Sequence, residues 1–85
     1  MLKIYGTLLC KDCVDCCRDL DEAQITYEFL DISKDLREMK AFLSLRDTHP
    51  VFADIRGTER IGIPCIVDGE GITLDWEPYV SQDKA

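Results

Sequence analysis

Eighty-five residues allow one small domain, expected to span 1–85, with a modest core. Hydrophobic residues at 46% and charged residues at 32% exclude a disordered chain. Acidic residues outnumber basic ones and leave a net charge of −7, which disfavours nucleic acid and anionic membranes as partners, since phosphates are held mainly by Lys and Arg.

The first segment, Leu2-Lys3-Ile4-Tyr5-Gly6, reads as a short strand of β-branched and aromatic residues ended by glycine. Thr7-Leu8-Leu9 connects it to Cys10-Lys11-Asp12-Cys13-Val14-Asp15-Cys16-Cys17, which holds four of the five cysteines. Cys13, Cys16, Cys17 and Leu20 then fall on one helical stripe, so a helix is expected over 12–23 with Cys10 ahead of it. Residues 25–32 read as a second strand, with the imperfect alternation of a strand covered on both faces. Ser33 is the expected N-cap of a second helix over 35–46, along which Leu36, Met39, Phe42, Leu43 and Arg46 keep a three-to-four spacing. Asp47-Thr48-His49-Pro50 ends it.

Residues 51–61 read as an irregular turn and loop in which Val51, Phe52 and Ile55 can pack. Ile63-Pro64-Cys65-Ile66-Val67 is a third strand that opens with proline. Asp68-Gly69-Glu70-Gly71 signals a hairpin, and Ile72-Thr73-Leu74-Asp75-Trp76 is strand four. Glu77-Pro78-Tyr79-Val80 is expected to add no more than one helical turn. A right-handed crossover makes strands one and two parallel. The hairpin makes strands three and four antiparallel, giving a mixed sheet with helices packed on it, for which the order 2-1-3-4 is the expectation.

No apolar run approaches the ~20 residues that span a bilayer, and the strand-like start lacks the regions of a signal peptide. The expectation is a cytoplasmic protein, where thiols are kept reduced. The odd number of cysteines and their crowding argue against a disulfide-built secreted scaffold.

Two cysteines spaced C-x-x-C, the first ahead of a helix and the second in its first turn, can close a small disulfide, and the helix N-terminus favours the thiolate of the first. Cys10 is therefore the candidate nucleophile and Cys13 the resolving thiol. The same residues with Cys16 or Cys17 can hold a metal or an iron–sulfur cluster, which keeps a metal set of Cys10, Cys13, Cys16 and Cys17 as the alternative. A non-catalytic interaction domain is the third reading. Cys16 and Cys65 are expected in the core, as small hydrophobes, and Cys17 at the helix flank. His49 is expected at the surface near the end of the second helix. Trp76 and Tyr79 either cover the core edge or form a docking patch. Lys11, Arg56 and Arg60 are candidates for holding an anionic group.

Several residues together resemble the glutaredoxins, of the thioredoxin-fold superfamily. They are the spacing of Tyr5 and Cys10, the apolar Leu20, the aromatic Tyr27, Gly62-Ile63-Pro64 and Asp68-Gly69. The resemblance runs from Met1 to about Leu74. It implies a thioredoxin-like (glutaredoxin) α/β fold, and a cis Pro64 lying against the C-x-x-C and exposing the backbone of Ile63 to an extended substrate. Ile63, Pro64 and Lys11 are then substrate-binding positions. It implies a thiol–disulfide oxidoreductase acting on protein or low-molecular-weight disulfides, with no tightly bound cofactor. A thiol reductant such as glutathione, or a reductase, would restore the thiols. Four departures stand out. Lys11-Asp12 replaces the usual Pro-Tyr, Thr7 the usual lysine, Thr73-Leu74-Asp75 stands where the family has Gly-Gly and an acidic residue, and the final helix is mostly missing. The resemblance therefore implies disulfide exchange more than glutathione specificity.

Overall fold

A computed structural model describes residues 1–69 and 71–84, the last four of these by backbone alone. In chain order the elements are β1 (Leu2–Gly6), α1 (Lys11–Glu22), β2 (Tyr27–Asp31), α2 (Leu36–Thr48), a 3-10 turn (Pro50–Phe52), β3 (Cys65–Asp68), β4 (Gly71–Thr73) and α3 (Glu77–Lys84). The protein is α/β, with a four-stranded mixed sheet in the order β2-β1-β3-β4. β1 runs parallel to β2, with Ile4 opposite Phe29, and antiparallel to β3, with Ile4 opposite Ile66 and Tyr5 opposite Cys65. β3 and β4 are antiparallel. Glu70, in the expected hairpin turn, lies outside the described residues.

Strand alternation divides the core into two layers. Leu2, Ile4 and Ile66 point to one face, where they meet Cys16 and Leu20 of α1 and Val80 of α3. Cys65 points to the other and joins Ile32, Phe42, Phe52 and Ile55, with Tyr5 packed against them. Phe42 of α2 stacks edge-on against Phe52, with ring centroids 5.8 Å apart and planes at 83°, a favoured geometry for aromatic pairs. The sheet is thus covered on both faces, with α1 and α3 on one side and α2 with the 3-10 turn on the other.

α1 closes without a glycine. Gln24 takes φ +60, while the amides of Ile25 and Gln24 donate to the carbonyls of Leu20 (2.9 Å) and Asp21 (3.1 Å), the paired bonds of a Schellman cap.

Four expectations change. The N-cap of α2 is Asp35, not Ser33: the Asp35 carboxylate accepts from the Arg37 amide at 2.9 Å. Ser33 instead donates its amide to Asp31 at 2.8 Å in a local turn, the competing use of short polar side chains. α2 also turns its outer side differently from the apolar spacing, for Leu36 (65% exposed) and Leu43 (44%) face outward while Phe42 is buried. Strand β4 ends at Thr73, where the Thr73 hydroxyl accepts from the Asp75 amide at 3.1 Å and turns the chain away. The C-terminal segment, read as one turn, is an eight-residue helix. Pro78 is its second residue, where the missing amide has no intrahelical partner to lose. Val80 is buried at the core edge beside α1, and the partly buried Tyr79 and Trp76 pack against it, as the first of the two readings of Trp76 and Tyr79 has it.

Candidate functional site

Cys10 is the N-cap of α1, in extended conformation. Its amide donates to the Thr7 carbonyl and its carbonyl accepts from the Val14 amide, both at 3.1 Å. Its side chain makes no capping bond, so the thiol stands partly exposed at the positive end of the helix. Cys13, one turn along, is fully buried. It lies over Gly6, the last residue of β1, so closely that a Cβ there would come within 2.7 Å of the Cys13 Sγ. Gly6 is what lets α1 sit this low on the strand. Burial, first of all, pushes the Cys13 thiol up to about 12; the neighbouring Cys10 thiol adds to this, while the Thr7 backbone acts against it.

Beside Cys10 lies a groove of about 340 Å³. Ile63 and Pro64 form one part of its wall, with Leu74 and Trp76 from the segment after β4. The rest of the wall comes from Ile55 and the loop 59–62, with Asp12 of α1 at the helix end. The Ile63–Pro64 peptide bond is cis. The Trp76 indole is fixed by donating to the Asp19 carboxylate at 2.9 Å.

The structure therefore brings Cys10, Ile63 and Pro64 to one groove, with Cys13 beneath. Lys11 is not among the lining residues: it is 88% exposed, and its ammonium pairs with Asp15 at 3.0 Å, one turn along α1. Arg56 is occupied elsewhere, donating to the carbonyls of Arg46 (2.7 Å) and His49. Arg60 does line the groove, alongside Glu59. His49 ends α2, and its Nδ1 accepts from the Val51 amide at 3.1 Å.

The remaining cysteines diverge. Cys16 faces the sheet within the first core layer and Cys65 lies within the second. Burial pushes both thiols up to about 12. Cys17 sits on the flank of α1, its thiol also raised by burial but drawn back by a hydrogen bond with Tyr27. All five cysteines are free thiols. Among the described residues no group of three or more His, Cys, Asp or Glu side chains is placed to hold a metal ion. Likewise, no described helix is long and apolar enough to cross a membrane.

Two contributors escaped the sequence. Gly6 reads as a strand end, and only its contact with Cys13 gives it a role. Arg46 stands at the end of an apolar stripe on α2, an odd place for a charge, and that oddity was its signal. No family model, curated protein or solved structure matches the chain.

Proposed function

We propose that this protein is a thiol–disulfide oxidoreductase with a thioredoxin-like architecture, working through Cys10 and Cys13. One observation carries the reading: a partly exposed thiol at a helix N-terminus opens on a groove walled by Ile63 and Pro64, while a second thiol lies buried beneath it.

Each residue then has a distinct task. The Cys10 thiolate attacks one sulfur of a substrate disulfide; a Cys10–substrate disulfide forms and the other substrate sulfur leaves as a thiolate. Cys13 then attacks the Cys10 sulfur, giving up its proton to the departing thiol, and the Cys10–Cys13 disulfide closes. The substrate is reduced by two electrons and the cysteine pair oxidised by two. A dithiol reductant or a reductase returns the pair to thiols. Burial, which raises the Cys13 thiol and keeps its proton in place, and the partial exposure of Cys10 together support Cys10 as the first attacker. Around the thiol, Leu8 (60% exposed), Leu9 (88%) and Ile61 (54%) leave apolar surface uncovered. That surface, with the groove, favours protein disulfides as substrates in a reducing, cytoplasmic setting.

Trapping tests the reading. Cys13→Ser, exposed to a disulfide-bonded protein, is expected to accumulate a mixed disulfide on Cys10, whereas Cys10→Ser is expected to be inert. Equal trapping by the two variants would reverse or remove the assignment of the nucleophile.

A further inference from the structure

The wall of the groove opposite Cys10 is built from a loop with little regular structure of its own. Between the 3-10 turn and β3 the chain makes turns through residue 59 and then runs without regular structure to Pro64. Loops of this length hold a shape only when something outside them satisfies their backbone groups. Here one guanidinium from α2 serves three of those groups.

Arg46, in the last turn of α2, reaches across and donates to three carbonyls of the loop. Its Nε meets the Ile61 oxygen at 2.8 Å, and Nη2 meets the oxygens of Arg60 at 2.6 Å and Ile55 at 3.5 Å. All three acceptor residues line the groove beside Cys10. The arrangement is reciprocal, because Arg56, at the near end of the loop, donates back to the Arg46 carbonyl at 2.7 Å and to the His49 carbonyl. Thr58 adds a bond to the Ile55 carbonyl, and its hydroxyl accepts from the Arg60 amide at 3.1 Å. Only a fork of donors can serve several carbonyls at once. Lysine, a single ammonium on a flexible stem, cannot reproduce it.

We propose that Arg46 is a positioning residue that sets the shape of the substrate groove, and so governs recognition of polypeptide disulfides without touching the sulfur chemistry at Cys10. The proposal rests on the disulfide-exchange reading. A large substrate lying along Ile61, Ile63 and Pro64 needs that wall in place. A small disulfide that meets only the exposed Cys10 sulfur does not.

The experiment compares wild type with Arg46→Gln and Arg46→Lys, using insulin as the polypeptide disulfide and dithiothreitol as reductant. The dimer of thionitrobenzoate is the small disulfide. In both variants KM for insulin is expected to rise by about tenfold, the equivalent of one well-formed hydrogen bond to a charged group, with kcat within twofold of wild type. The rate at which Cys10 reacts with the small disulfide is expected to stay unchanged. In a second arm, amide hydrogen exchange over residues 53–63 is expected to quicken in Arg46→Gln while the strands keep their protection. Unchanged KM, a parallel loss with both disulfides, full recovery of KM by Arg46→Lys, or unchanged exchange over 53–63 would each overturn the proposal. Wild-type protein that fails to reduce insulin at all overturns the disulfide reading instead, and the exchange arm then still decides whether Arg46 holds the loop.

Discussion

Burial of thiols ties the reduced protein's stability to pH. Cys13, Cys16 and Cys65 are each fully buried and each raised from 9.0 to about 12, mainly by desolvation. In the folded chain these groups hold their protons more tightly than in the unfolded chain. Their contribution is therefore complete below the unfolded value, and is lost as pH climbs through the window from 9.0 to about 12. Within it each thiol lowers stability by about 1.4 kcal/mol per pH unit. Tyr5, Tyr27 and Tyr79 are displaced in the same direction, again chiefly by burial. Urea unfolding of the reduced protein at about pH 8 and about pH 10.5 is expected to show a clear fall in midpoint. Cys16→Ala isolates the thiol share: it lowers stability at the lower pH but flattens the dependence. A midpoint that does not move between the two would contradict the burial of these groups.

At the scale of elements, the cap of α1 carries a testable cost. Gln24 occupies the left-handed region at φ +60, where a side chain is strained and glycine is not. Gln24→Gly is expected to stabilise the protein by ~0.5–1 kcal/mol, read as a raised thermal midpoint with unchanged helix content; a loss of stability would mean that the Gln24 side chain holds something the strain argument omits. The same residue shows where the sequence was hard to read. Strand β1 and helix α1 were legible, because alternation and the Cys13–Cys16–Leu20 stripe are strong periodic signals, whereas β3 begins at Cys65, two residues later than read, with Pro64 ahead of the strand rather than opening it. The helix stop at Gln24 carried no glycine to announce it. Ser33 and Asp35 are both good caps two residues apart, and the choice depended on Asp31 drawing Ser33 into its own turn. Leu36 and Leu43 fitted an apolar spacing but lie outside, since α2 is rolled to bring Phe42 onto Phe52. Of the site, Cys10, Cys13, Ile63 and Pro64 could be named from spacing and resemblance. The wall built by Arg46 could not, because its partners are backbone carbonyls, which sequence does not distinguish.

Across the whole molecule, and on the proposed disulfide-exchange reading, charge and groove composition bear on the choice of thiol reductant. Thr7, where a lysine would meet a glutathione carboxylate, is bound to Ser33 at 3.0 Å and to the Leu9 amide at 3.2 Å. The Thr73 hydroxyl is engaged with Asp75, and Lys11 with Asp15. Among the described residues Arg60 is the one cation lining the groove, and it shares it with Asp12 and Glu59. Two missing charged hydrogen bonds, at ~1.5–3 kcal/mol each, weaken glutathione by about two to four orders of magnitude. Calorimetric titration of Cys13→Ser with glutathione is expected to show no saturation in the micromolar range. Tight binding that disappears in Arg60→Gln would show that the groove has rebuilt the grip. The anchored indole of Trp76 has an optical consequence. It is the only tryptophan in the chain, it is held rigid by Asp19, and it shares a groove with Cys10. Thiol and disulfide sulfur quench indole emission to different degrees, so on the proposed disulfide-exchange reading Trp76 would report on a Cys10–Cys13 couple. Oxidation is expected to change emission intensity in wild type and leave Cys10→Ser unchanged, which would let a redox titration be followed by light alone, without a coupled assay.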